Sequence, residues 1–234
     1  MHPTQRWIQV CAVWLLPVVA SASESCNDRF ARLNGDHARL IGYTPASQGS
    51  ERAGLKTLEA ALFEALAQCP TMPELFALMG EVQLSLGQPS LAAAYGNKAI
   101  NFNERSWRGQ QLVGSALALM GQPKEGLPYL ERAVELEPGN PGLRLNLASA
   151  LLATKNYERV LEISGELVDS KDTTVAATAR NLRGQAYLRQ GLLGEAGREF
   201  ALAEKLGFDP RRRLIDIDAL QRRKSADGVA SPLP

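Results

Sequence analysis

After residue 22 the sequence holds one histidine, His37, and two cysteines, Cys26 and Cys69. So few ligating and nucleophilic groups exclude the His/Cys clusters of metal sites and any triad built on more than one imidazole. A glycine-rich phosphate loop is also missing. Carboxylates such as Glu131 and Glu135 stand four apart, the ordinary spacing of exposed charges on a helix. No catalytic residue, metal ligand or cofactor is expected, and His37 reads as a surface residue. Excess charge of one sign is lacking as well: 26 basic against 25 acidic residues leave a net charge of +1. Such a chain has no general electrostatic grip on nucleic acid or anionic lipid. Strand-like alternation is nearly absent, so an all-α chain is expected.

What is present is a repeated brick. In Trp107 to Asn140, Leu112, Ala116 and Leu119 form one helical stripe, and Leu127, Leu130, Ala133 and Val134 another. Gly121-Gln122-Pro123 divides them, since Gly tolerates a left-handed cap and Pro fits a first helical turn. The unit is a helical hairpin that cannot bury both stripes alone. A shift of 34 residues aligns Gly80 with Gly114 and Ala148, Gly87 with Gly121 and Lys155, and Ala99 with Ala133 and Leu167; a 36-residue step carries Ala148 to Gly184. Four units follow, at 73–106, 107–140, 141–176 and 177–210, with the two-residue excess placed between Asp169 and Thr174.

At these positions the chain resembles the tetratricopeptide repeat family. Leu182, Gly184, Tyr187, Gly191, Ala196, Phe200 and Ala203 carry the best match, followed by Trp107, Gly114, Leu130, Ala133 and Pro138. Leu167 departs from it, standing where a small residue is usual. The resemblance implies a right-handed superhelical solenoid of antiparallel helix pairs that binds another protein or peptide along a concave face lined by the first helix of each pair. On that face it places Glu81, Arg108, Gln111, Ser115, Asn146, Ser149, Asn181, Gln185 and Arg189, interleaved with Leu84, Leu119, Leu145, Leu152 and Leu188. The leucines either meet a partner or pack between helices. A clamp for a C-terminal carboxylate, known in chaperone-binding members, would need cations where Gln111, Thr178 and Leu182 stand and an asparagine in place of Ser115; only Asn146 fits it.

The flanks complete the chain. Residues 1–22 read as an export signal: Arg6 is followed by the mostly apolar run Trp7 to Val19, and Ala20-Ser21-Ala22 suits cleavage after Ala22. An uncleaved anchor or a chance apolar terminus are the alternatives, although Gln9 and Pro17 interrupt the ~20 apolar residues that a spanning helix requires. A periplasmic or secreted location is expected, where Cys26 and Cys69 would be a disulfide pair; otherwise Cys69 is a small buried hydrophobe and Cys26 a free thiol. Residues 23–72 read as a cap or degenerate repeat, with helices over Asn27–Ile41 and Glu51–Gln68 joined by a loop at Gly42–Ser50. Residues 211–224 read as a capping helix with an apolar stripe of Leu214, Ile217 and Leu220, and 225–234 as a disordered tail. Two functions fit: an exported adaptor that binds through its groove, or an accessory subunit of an envelope enzyme or export machine that binds through cap or convex surfaces.

Overall fold

The structure, a computed structural model, describes residues 24–41 and 48–208. The expected leader, capping helix and tail lie outside the described residues. Within them the chain is all-α: α1 (Cys26–Ile41), α2 (Gln48–Gln68), α3 (Pro73–Ser85), α4 (Pro89–Phe102), α5 (Trp107–Leu119), α6 (Pro123–Leu136), α7 (Pro141–Ala153), α8 (Tyr157–Gly165), α9 (Thr173–Arg189) and α10 (Leu193–Lys205). None of these helices is long and apolar enough to cross a membrane.

Local chemistry accounts for the boundaries. Pro73, Pro89, Pro123 and Pro141 occupy first helical positions, where a missing N–H costs nothing. Ser106 and Asn140 cap α5 and α7 by accepting from Gly109 N and Gly142 N. Gly87, Gly121 and Gly191 turn the chain between the helices of a pair with φ of 79°, 85° and 79°. Lys155 makes the same left-handed turn in the third pair, at φ 64°.

Pairs α3/α4, α5/α6, α7/α8 and α9/α10 stack in order. Each helix packs on the next, and α1, α3, α5, α7 and α9 also touch in succession, whereas the backbones of the even-numbered helices stay further apart, with Arg159 on α8 reaching Glu131 on α6 by its long side chain. The row whose members meet lies inside the bend, so the odd helices line the concave face. One core joins α1, α2 and α3 through Leu33, Leu55, Leu62, Leu75 and Met79. A second runs from α5 to α9 through Leu130, Leu147, Leu151 and Leu182. Each such side chain withdraws about 2 kcal/mol of apolar surface from water.

The third pair departs from the others. α8 has 9 residues, where α4 and α6 each have 14. Leu167, expected on that helix, lies beyond its end and is buried in the core. Ala99 and Ala133 let the neighbouring helix come close; a leucine is too large for that, and the helix ends a turn early instead. α9 then begins at Thr173, capped by Asp172, four residues ahead of the boundary drawn at 177. At the other end α2 begins at Gln48, inside the stretch read as loop.

Candidate functional site

The concave face has two different ends. At the first, α1, α3 and α5 converge on one carboxylate. Arg108 grips Glu81 with two hydrogen bonds, Nε to Oε1 at 2.9 Å and Nη2 to Oε2 at 2.7 Å. The same Nη2 donates to Asn34 Oδ1 at 2.9 Å. The guanidinium lies over the rings of Phe30 and Trp107, 5.5 and 5.9 Å from their centroids. A planar fork suits a carboxylate and an aromatic face at once, which an ammonium could not do.

His37 completes this junction, and here the expectation of a surface histidine fails. It is 7% exposed, with Nδ1 3.6 Å from Glu81 Oε2 and Nε2 buried without a hydrogen-bond partner. Burial holds its pKa below the ordinary 6.5, against the pull of Glu81 and with the help of Arg108. The signal was available in the sequence: Phe30, Leu33, Asn34 and His37 fall at i, i+3, i+4 and i+7, one face of a helix.

Further along, the face presents uncharged groups until Arg189. Gln111 on α5, Asn146 and Ser149 on α7, and Asn181 and Gln185 on α9 are each half-buried on consecutive inner helices. Arg189 is exposed and reaches back to donate to Leu152 O at 3.4 Å. Ser115, expected among them, is only 3% exposed and lies beneath the surface. Thr178 and Leu182, two of the positions a carboxylate clamp would use, are buried as well. Leu119, Leu145 and Leu152 pack in the core, and only Leu188 of the interleaved leucines is exposed, at 49%. Glu81 and Arg108 are thus bound to each other, while the amides are presented outward.

Cys26 and Cys69 form a disulfide across 43 residues, which ties the start of α1 to the end of α2. No group of three or more His, Cys, Asp and Glu among the described residues is placed to hold a metal ion.

Two family models described as tetratricopeptide repeat match the chain, at residues 117–181 and 167–210. The chain belongs to the tetratricopeptide repeat family. Solved structures of repeat proteins share its fold. TTC0263, a thermophilic TPR protein in Thermus thermophilus, is 18% identical over 86% of this chain and 98% of its own, with a TM-score of 0.59. PilF of Pseudomonas aeruginosa is 17% identical over 86% of this chain and 87% of its own, at 0.60. YrrB, a TPR protein with an unusual peptide-binding site, is 19% identical over 86% of this chain and all of its own, at 0.55. At these identities the likeness concerns the repeat fold alone. No curated protein sequence matches this TPR protein.

Proposed function

We propose that this TPR protein is an exported, non-catalytic adaptor that holds a segment of another protein on the concave face of α5, α7 and α9. The observation that carries this reading is the row of uncharged amides, Gln111, Asn146, Asn181 and Gln185, half-exposed on successive inner helices. A carboxamide both donates and accepts, so a row of them pairs with the N–H and C=O groups of an extended main chain. A charged terminus finds no cluster of cations there, and Arg108 is already committed to Glu81. Export rests on the sequence of residues 1–22; the disulfide between Cys26 and Cys69 supports an oxidising compartment such as the periplasm.

The test is photo-crosslinking in the native cell from Gln111, Asn181 and Gln185, with Glu135 on the outer α6 as comparison. Adducts with one protein from the three inner positions, and none from Glu135, are expected. Adducts from Glu135 alone would transfer the function to the convex side. That second reading, an accessory subunit bound through its outer surface, has one observation in its favour: Phe63 on α2 and Phe102 on α4 are 53% and 49% exposed, and Phe102 stacks on Phe76 at 5.3 Å.

A further inference from the structure

α1 lies over the binding face with little apolar material to hold it there. Among its described side chains Leu33 is the only buried hydrophobe, whereas α3 buries Leu75, Leu78, Met79 and Val82. Phe30 and Leu40 pack on the same core only part-buried, and Asn34 and His37 share the inner face with them. His37 Nε2 is buried without a hydrogen-bond partner, an arrangement that disfavours docking, and Arg29 is paired with Glu24 of its own segment rather than with the stack. Yet α1 is covalently fastened: Cys26, its first residue, is bonded to Cys69 just after α2. The contact that α1 makes with α5 is specific, because Arg108 receives the ring of Phe30 and the amide oxygen of Asn34, four residues apart on one helical face.

We infer that α1 is a disulfide-fastened cover over the first end of the concave face, and that opening it exposes the Glu81–Arg108 pair as a docking site for a partner helix bearing an aromatic and a carboxamide four residues apart. α1 is the template for that partner, because it presents those two groups to Arg108 in the closed state. The opening reagent is a dithiol. One of its sulfurs attacks exposed Cys26 and expels the Cys69 thiolate; its second sulfur then displaces Cys26. The reductant leaves as its own disulfide, and the chain gains two thiols, two electrons and two protons. The inference rests on the concave face being the binding surface. Its readouts are α1 and Arg108, whereas that reading is tested by crosslinks from Gln111, Asn181 and Gln185, so the two can fail separately.

The test uses the full chain, oxidised and after dithiol reduction, together with the Cys26→Ser variant. Amide hydrogen exchange is followed, and the probe is a fluorescent peptide of residues 24–41 carrying Ser in place of Cys26. Reduction, and Cys26→Ser, should speed exchange across α1 at least tenfold while α5 to α8 keep their protection. The peptide should bind the opened chain at least tenfold tighter than the oxidised one, and Arg108→Ala should remove that binding. Unchanged exchange in α1 would overturn the cover. So would loss of protection throughout the stack, which would make the disulfide a fastening of the whole fold. An opened α1 with no peptide binding, or with binding indifferent to Arg108→Ala, would overturn the docking site.

Discussion

Gly114 on α5 and Leu130 on α6 are packed so closely that a β-carbon on the glycine would stand 2.6 Å from Leu130 Cγ and 2.8 Å from the carbonyl oxygen of Gly126. A backbone oxygen cannot swing aside as a side-chain end can. Gly114→Ala is therefore expected to lose about 1–3 kcal/mol through overpacking, although alanine is the better helix former by about 1 kcal/mol. Gly197 on α10 meets nothing within 4 Å, so Gly197→Ala should gain up to about 1 kcal/mol. Urea unfolding of the two variants reads both signs. Equal shifts would mean that the α5/α6 crossing is looser than described.

Lys155 holds a left-handed turn that glycine holds at 87, 121 and 191. The β-carbon makes that conformation costly, and glycine's greater freedom in the unfolded chain returns only part of the cost. Lys155→Gly should stabilise the chain by about 0.5–1 kcal/mol. Thermal melts would show it as a rise in Tm; a fall would mean that the lysine side chain does something no contact here explains.

Acid should weaken the fold through His37. Burial keeps its folded-state pKa below 6.5, whereas the unfolded chain takes up a proton as the pH drops through that value. The unfolded state then binds more protons, so stability falls with pH below 6.5 and is insensitive to His37 above it. His37 is the only histidine after residue 22, and few other side chains titrate between pH 5 and 7. Unfolding midpoints at pH 7.5 and 5.5 should differ for the natural chain, and His37→Gln should flatten that difference. The carboxyl of Glu59, held low by hydrogen bonds from Lys56 and Gln83, adds a separate loss as the pH falls past 4.5.

Glu199 on α10 receives hydrogen bonds from Arg180 at 3.3 Å and Arg183 at 2.8 Å, in a site where its side chain is 14% exposed. Removing its charge leaves Arg183 without its counter-ion and Arg180 with only the exposed Asp169, 3.6 Å away. Glu199→Gln should cost about 2 kcal/mol. Glu135, paired with Arg132 in open solvent, should tolerate the same change within about 0.5 kcal/mol. Denaturant titrations of the two variants separate the cases, and a Glu199→Gln chain as stable as the parent would contradict this account of the last pair.

The repeat was legible because it is written in residues whose conformational preferences are local. Glycine after the first helix of a pair and proline at the head of the next set boundaries without help from distant contacts. The small residues at 80, 114 and 184 could be aligned for the same reason. Leu167 was harder: the 34-residue step put it on a helix, and only the crowding of α9 against that position shows why α8 stops before it.

The candidate site was legible in kind but not in allocation. Gln111 and Asn181 share a register that follows from the period, Gln185 shares that of Ser149, and all of them reach the surface. Ser115 and Ser149 share a register too, yet one is buried and the other half-exposed, a difference that the period does not carry. Glu81 and Arg108 stand 27 residues apart in the chain. Nothing local tells that they bond each other, that Phe30, Asn34 and His37 gather round them, or that the cover so formed is tied down by Cys26 and Cys69. Periodicity, caps and turns were determined by the sequence alone, since they act over a few residues; which polar groups are spent inside the molecule and which are left for a partner was decided only when the helices came together, since desolvation and pairing depend on residues far away along the chain.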